Sequence, residues 1–183
     1  AAGSTLTFFS GDKLVGGPQA GIIVGKKQLI DKLKRHPLAR AVRIDKISLA
    51  GVAATLIHYL KGEAVEKIPV WRMISASLKE IDRRARMWAE ALNDLAQVID
   101  GESMIGGGSL PGSTLPTRLV AVGGGSKGKG KNVAQTLAGK LRRNEDFPVI
   151  GRISDNILFL DPRSVLPEED RIVLGVLRNL DTT

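Results

Sequence analysis

The fold of this chain is decided by residues 9–27, which read FSGDKLVGGPQAGIIVGKK. The β-branched and aromatic residues at 6–9 predict a short strand, and the turn residues after it place Lys13 in a glycine-rich loop. Residues 20–25, AGIIVG, are apolar on both faces and predict a buried strand. The segment therefore predicts two strands joined by a turn that carries a lysine.

Composition narrows the class of protein. A chain of 183 residues with 43% hydrophobic and 25% charged residues is long enough and apolar enough to bury a core. It contains no cysteine, which excludes disulfides and thiolate metal sites and fits a reducing cytoplasm. No apolar run approaches the roughly 18 residues that cross a bilayer. The chain starts Ala-Ala-Gly directly before a strand, which predicts that it begins inside a larger protein.

Beyond the turn, the sequence predicts a helical stretch and then a β-rich half. The helix predicted over residues 45–59 has little polar face and is expected to be buried. Apolar residues spaced alternately by three and four predict one long amphipathic helix over 69–95, with a domain boundary just before it, within 61–68. The later elements are predicted as strand, strand, helix, hairpin and helix: residues 97–105, 117–122, 132–143, 148–160 and 167–180.

The positive charge is concentrated in two segments. Residues 26–46 hold eight Lys or Arg and two Asp, and residues 118–143 hold seven Lys or Arg and no acid. Because the whole chain carries a net charge of +8, these two segments account for all of the excess. They indicate either a polyanionic partner such as RNA or two solvated basic surfaces.

Three motifs bear on chemistry. Lys13 beside Asp12 in a glycine-rich turn could form a Schiff base with a carbonyl group, or the two could be an exposed ion pair. The loop GGGSKGKG at 123–130 is similar to a phosphate-binding loop but has glycine where a magnesium-binding hydroxyl is needed, so it is interpreted as a basic or solvated loop. His36 and His58 lack companions at ligand spacing, and we therefore expect no metal site.

The segment at 9–27 strongly resembles the bacterial selenocysteine synthase family, the L-seryl-tRNA(Sec) selenium transferases. Three further segments are similar to the same family: HPLARAVRIDK at 36–46, GGGSLPGSTLP at 106–116 and PVIGRISDNILFLDPRSV at 148–165. The resemblance covers essentially the whole chain in order. It implies a transferase of selenocysteine biosynthesis, and hence of protein biosynthesis in the cytoplasm.

The resemblance also implies roles for individual residues. Lys13 would bind pyridoxal 5'-phosphate as the Schiff-base lysine, with Asp12 as a required acidic neighbour and Lys13 as the acid and base once released. Arg40 and Arg43 would bind the selenium donor, selenophosphate. Arg152 is expected to have a structural role or to contact RNA or another anion, because the esterified substrate has no free carboxylate. The loop lysines that could contact RNA are Lys127, Lys129 and Lys131.

The implied reaction eliminates the serine hydroxyl of seryl-tRNA(Sec) and adds selenium from selenophosphate, which gives selenocysteinyl-tRNA(Sec). The implied α/β fold is the tail of a fold-type-I pyridoxal-phosphate transferase large domain, residues 1–62. It is followed by an α+β small domain with a mainly antiparallel sheet, residues 63–183, joined through the long helix 69–95. The chain is then a C-terminal fragment that we expect to be inactive alone. The family builds sites between subunits, so a homo-oligomer without membrane or metal is implied.

Two alternatives stay open at this point. One is another pyridoxal-phosphate lyase of the same superfamily, such as an ammonia lyase acting on a small amino acid, which would need neither tRNA nor the two donor-binding arginines. The other is a non-catalytic module that binds RNA or assembles subunits.

Overall fold

The computed structural model of this protein describes residues 3–106, 109–123 and 132–180. The chain divides into two compact units, Ala1–Arg72 and Met73–Thr183. Each unit has its own sheet, one of two strands and one of four strands in the described residues. The two are therefore described separately.

The first unit contains an antiparallel strand pair followed by short helices. Strands β1 (Leu6–Ser10) and β2 (Gly21–Gly25) pair with Phe8 opposite Ile23. The helices that follow are α1 (Lys27–Arg35), α2 (Pro37–Ala41), α3 (Lys46–Leu60), α4 (Ala64–Lys67) and the start of α5 (Pro69–Ser75). Helix α3 begins at an N-cap, Asp45, whose carboxylate accepts hydrogen bonds from two backbone N–H groups.

Two expectations about burial in this unit are wrong. Strand β2 was expected to be buried on both faces, but Ile23 and Val24 are exposed. Helix α3 was expected to be buried, but within this described helix Val52 alone is buried, and Ile47 and Leu60 are 86% and 88% exposed. Apolar patterning shows which surfaces favour burial, but it does not show whether the described chain supplies a covering layer.

The single helix predicted over residues 69–95 is also wrong, because the helix is interrupted. Helix α5 ends at Ser75, and α6 (Leu78–Ala91) begins after Ser77, whose hydroxyl accepts a hydrogen bond from the Glu80 N–H. The buried guanidinium of Arg163 donates to the carbonyls of Met73, Ile74 and Ala76, at 2.9–3.3 Å. These carbonyls are the ones that an uninterrupted helix would pair with later N–H groups.

The second unit is a four-stranded antiparallel sheet covered by helices, with strand order β3-β4-β6-β5. The remaining elements are β3 (Ala96–Met104), β4 (Thr114–Val122), α7 (Val133–Arg142), β5 (Arg152–Ser154), β6 (Ile157–Leu160) and α8 (Asp170–Arg178). The predicted order of strands and helices after residue 96 is confirmed, as is the mainly antiparallel sheet. The hairpin, predicted over residues 148–160, turns at Asp155 and Asn156, both with positive φ.

One hydrophobic core joins α6, α7 and α8 to strands β4 and β6. Its residues include Trp88, Leu92, Val120, Leu158 and Leu177, each almost completely buried. The regular spacing of apolar residues on α6 and α8 places their core faces toward this sheet. The second unit therefore has the closed core that its sequence pattern predicts.

A buried ion pair lies within that core. The carboxylate of Asp170, at the start of α8, accepts hydrogen bonds from Arg84 Nε and Nη2 at 2.8 Å each and from Trp88 Nε1 at 3.0 Å. Arg84 and Trp88 are each 1% exposed. A buried charge needs partners of this kind, so the network fixes α8 against α6.

None of the helices in the described ranges combines the length and the apolar composition that crossing a bilayer requires.

Candidate functional site

Lys13 lies in the turn that follows β1. Its Nζ donates a hydrogen bond to a carboxylate oxygen of Asp12 at 2.9 Å, and 45% of the lysine side chain is exposed. The exposed ion pair expected from the sequence is therefore present. The amine is nevertheless accessible to a carbonyl compound from solvent, so the ion pair does not exclude Schiff-base chemistry.

Asp12 is held in its ionised form by its neighbours. The Ser10 hydroxyl donates to the second carboxylate oxygen. This hydrogen bond, followed by the one from Lys13, lowers the pKa of Asp12 below its ordinary value of 3.8. Asp12 is therefore negative at neutral pH.

The backbone of the turn is tightly folded, and its glycines are required by geometry. The Gly17 N–H donates to the Gly11 carbonyl at 2.8 Å, and the Gly16 N–H donates to the Lys13 carbonyl at 2.9 Å. Gly16 has a φ of +75°, and a Cβ there would lie 2.3 Å from a methyl group of Ile68. The turn that presents Lys13 thus depends on glycine at this position.

Helix α3 and the start of α5 hold this turn through two aromatic residues. The Tyr59 hydroxyl lies 3.1 Å from the Leu14 carbonyl and 2.9 Å from the Val15 carbonyl. The Trp71 Nε1–H donates to the Tyr59 oxygen at 2.6 Å. Sequence reasoning missed both residues as site residues, and it assigned Trp71 only to an apolar helix face.

The same aromatic residues line an apolar groove beside the turn. The groove has a volume of about 290 Å³. Its lining residues are Leu14, Val15, Leu56, Tyr59 and Trp71. Two residues of the lysine turn, Leu14 and Val15, therefore lie against an apolar groove.

Arg40 and Arg43 lie on exposed backbone near α2. Helix α2 begins after His36, whose Nδ1 accepts a hydrogen bond from the Leu38 N–H at 3.2 Å. Arg40 is in the last turn of α2, but the helix ends at Ala41, so Arg43 lies beyond it. Both side chains are exposed and form no hydrogen bond or ion pair with another described residue. Both arginines are available to bind an anion, but they do not lie on one face of a common helix.

The predicted RNA-contact residues are only partly within the described structure. Arg152 begins β5, and its guanidinium lies 5.8 Å from the centroid of the Phe159 ring, its cross-strand neighbour. This contact fits a structural role. Lys127, Lys129 and Lys131 lie outside the described residues.

The two histidines have local partners. His36 caps α2, and His58 Nδ1 lies 2.8 Å from a carboxylate oxygen of Glu63. That hydrogen bond lowers the pKa of Glu63 below its ordinary value of 4.5. Across 3–106, 109–123 and 132–180, no group of three or more potential metal ligands comes together.

Comparison with known proteins points to a single family. A family model described as SelA, L-seryl-tRNA selenium transferase, matches residues 1–166. The chain is 45% identical over 184 residues to the L-seryl-tRNA(Sec) selenium transferase of Nitratidesulfovibrio vulgaris. It is 43% identical over 188 residues to that of Desulfovibrio desulfuricans. These alignments cover 97% of this chain and 38% of each relative, so the chain spans well under half of their length.

A solved structure also resembles this chain. The structure of D-glucosaminate-6-phosphate ammonia-lyase superposes with a TM-score of 0.62 over 97% of this chain and 44% of that one, at 23% sequence identity. At this level of identity the likeness indicates a shared fold and no more.

Proposed function

This chain belongs to the L-seryl-tRNA selenium transferase family, and from that premise we propose that it carries the reactive lysine and the small domain of a selenocysteine synthase. The whole protein would convert seryl-tRNA(Sec) to selenocysteinyl-tRNA(Sec) with selenophosphate as the selenium donor. The observation that carries the proposal is the half-exposed Lys13 beside ionised Asp12 in a glycine-built turn.

The turn fits covalent attachment of pyridoxal phosphate. The Lys13 amine is accessible, and its hydrogen bond is to the adjacent side chain, so a carbonyl carbon can approach Nζ. Gly11 and Gly16 keep the backbone close to its neighbours, since a Cβ on either would meet an atom at 2.9 Å or less. When bound, the cofactor supplies an electron sink for negative charge at the α-carbon of the amino acid.

Within this site the proton is handled by Lys13 and Asp12. The Lys13 amine, when free, can hold a proton at Nζ or accept one from the substrate. The Asp12 carboxylate accepts a hydrogen bond from Lys13 Nζ at 2.9 Å and so holds the amine beside it. We therefore propose that Lys13 serves as acid and base and that Asp12 holds its amine in position.

Arg40 and Arg43 are proposed to bind the donor anion. Both are exposed cations without a partner among the described residues, so their N–H groups are free to bind oxygens of a phosphate-like ligand. Backbone rotation after Ala41 would set the distance between them, because only Arg40 is helical.

The two domains expected from the sequence, whose boundary differs from that of the two compact units, also receive a proposed assignment. Residues 1–62 would be the C-terminal portion of the cofactor-binding large domain, and residues 63–183 the small domain. Exposed apolar residues on β2 and α3 support the idea that further protein, from the same or another subunit, covers the first unit in the whole enzyme. A homo-oligomer with shared sites would provide such a cover.

Borohydride trapping tests the lysine assignment. The intact protein that contains this chain is incubated with pyridoxal phosphate, reduced, digested and analysed by mass spectrometry. We expect the reduced label on Lys13 and its loss in Lys13→Ala. The matched control is Lys27→Ala, because Lys27 is also paired with an aspartate, Asp31, at 2.8 Å. A label found mainly on another lysine would refute the assignment.

A second experiment tests the donor site. Arg40→Ala and Arg43→Ala should each raise the selenophosphate concentration needed for half-maximal selenium incorporation by about tenfold or more, since each removes a charged hydrogen bond. Arg35→Ala, an exposed arginine at the end of α1, is the control and should have no effect. Unchanged selenium incorporation in both variants would favour a lyase that does not use this donor.

A further inference from the structure

Tyr59 and Trp71 form a hydrogen-bonded chain that ends on the lysine turn. An indole N–H can only donate, so the 2.6 Å contact makes the Tyr59 oxygen the acceptor from Trp71. The single hydroxyl proton of Tyr59 is then directed toward the Leu14 and Val15 carbonyls, at 3.1 and 2.9 Å. Trp71 thus fixes the orientation of the hydroxyl, and the hydroxyl fixes the turn.

The place of these bonds in the turn matters for the amine. Leu14 and Val15 are the two residues that follow Lys13, and they lie in the turn rather than in a strand or helix. On the other side the turn is held by the Gly11 N–H, which donates to the Ala20 carbonyl at 2.7 Å. Without the Tyr59 bonds, the segment after Lys13 would lose the link to helix α3 that these bonds supply.

We propose that Tyr59 and Trp71 are positioning residues that hold the Lys13 amine where it captures a carbonyl group. The inference rests on the proposed function of Lys13. Neither aromatic residue needs to touch the cofactor, because their effect passes through the Leu14 and Val15 carbonyls. A reactive group is effective only when its backbone is held within a fraction of an ångström of the productive position.

The variants follow from the geometry. Tyr59→Phe keeps the ring and removes the hydroxyl, whereas Trp71→Phe removes the N–H donor to that hydroxyl together with one ring of the indole. Ser48→Ala is the matched control, because it removes from the same helix α3 a hydroxyl that is hydrogen-bonded to the Asp45 N-cap and not to the turn. All variants are made in the intact protein that contains this chain.

The first readout is the rate and the pH profile of Schiff-base formation when pyridoxal phosphate is added to the cofactor-free protein, followed by visible absorbance. Loss of a hydrogen bond predicts a rate about fivefold lower for Tyr59→Phe and a pH profile displaced from that of the wild type. The rate for Trp71→Phe should lie between the rate for Tyr59→Phe and that for the wild type. The double variant should be no slower than Tyr59→Phe, because Trp71 acts through the Tyr59 oxygen.

The second readout needs no cofactor. Amide hydrogen exchange of peptides that cover residues 11–17 should be about fivefold faster in Tyr59→Phe, with the thermal midpoint of the protein changed little. This measurement separates the inference from the proposed function. If wild-type protein carries the borohydride label on a lysine other than Lys13, the proposed function fails even when the exchange result is obtained.

The inference is overturned if Tyr59→Phe forms the Schiff base at the wild-type rate and with the wild-type pH profile. It is also overturned if the rate falls only at temperatures where the variant unfolds, since that outcome indicates a structural role alone. Should Tyr59→Phe fail to fold, Trp71→Phe decides, because a wild-type rate and profile in that variant contradict the chain of contacts.

Discussion

Replacing Asp170 by leucine should destabilise the second unit by about 3–5 kcal/mol, because it leaves the buried Arg84 guanidinium without a counter-charge. The carboxylate accepts three hydrogen bonds of 2.8–3.0 Å, two from Arg84 and one from Trp88. Both donors are 1% exposed, so water cannot replace the missing acceptor without opening the core. The remaining hydrogen bond of Arg84, to the Val165 carbonyl at 2.9 Å, does not neutralise the charge.

The double variant Arg84→Met/Asp170→Leu separates charge burial from packing. It removes both charges and leaves apolar side chains of similar length, so it should recover about 2 kcal/mol or more of the loss in the single variant. Full recovery is not expected, because the Trp88 N–H and the Val165 carbonyl lose their partners, at about 1–3 kcal/mol for each group that stays buried. The double variant should thus be more stable than Asp170→Leu alone.

The matched control is Asp82→Asn on helix α6, the helix that carries Arg84. Asp82 accepts a hydrogen bond of 2.7 Å from Arg86, whose side chain is 65% exposed, and lies 3.3 Å from Arg118 Nε, whose side chain is 30% exposed. Solvent-accessible pairs of this kind contribute about 1 kcal/mol or less each. A comparison of Asp170→Leu with Asp82→Asn therefore tests burial, since both remove an aspartate paired with an arginine of α6.

Urea unfolding followed by far-ultraviolet circular dichroism gives the free energies, and hydrogen exchange at amides of α6 and α8 assigns the loss to the second unit. A loss below about 1 kcal/mol for Asp170→Leu, equal to that of the Asp82 control, would refute the reasoning. A double variant less stable than the single one would show that the ion pair itself, and not the isolated charge, carries the stability.

Three further substitutions test other contacts. Gly16→Ala should lower the free energy of unfolding in urea by about 2–4 kcal/mol. Gly62 has a similar positive φ but no atom near its Cβ position, so Gly62→Ala should lower the free energy of unfolding by only about 1 kcal/mol. Equal losses would contradict the steric argument. Arg163→Met should destabilise the second unit by about 3 kcal/mol because it leaves several carbonyls without donors, and a neutral result would show that water replaces them. The pKa of Glu63 is lowered by His58, so its stabilising contribution is present above the ordinary value of 4.5 and is lost as the pH falls through the lowered pKa. Glu63→Gln should therefore flatten the acid side of the stability curve, and an unchanged slope would contradict this.

Local patterns predict the second unit well because its elements are regular and its core is supplied by its own helices. Strand alternation, helix periodicity and the acidic start of α8 all concern neighbours within a few residues of one another. The break at residues 76–77 is different, because Arg163 binds the Ala76 carbonyl from 87 residues away. A local signal was nevertheless present, since Ser77 and Glu80 have the spacing of a helix-start capping motif.

The candidate site likewise combines features that neighbouring residues predict with a contact between residues far apart in the sequence. The glycine-rich turn and the position of Lys13 follow from the sequence, and the resemblance to a family supplies its expected role. The contact of Tyr59 with the Leu14 carbonyl spans 45 residues and involves a backbone acceptor that every residue possesses. No sequence pattern distinguishes that tyrosine from one that only packs, so its role required the structure.

The first unit has few fully buried side chains, whereas the second has a closed core with a buried, fully paired charge network. Local stability depends on such burial, so the turn that carries Lys13 is held by a small number of directed contacts and not by a dense core. Each of these contacts then has a large effect on where the amine lies and a small effect on whether the chain folds. Substitutions at the Tyr59 hydroxyl can therefore change the reactivity of Lys13 while the core of the second unit stays unchanged.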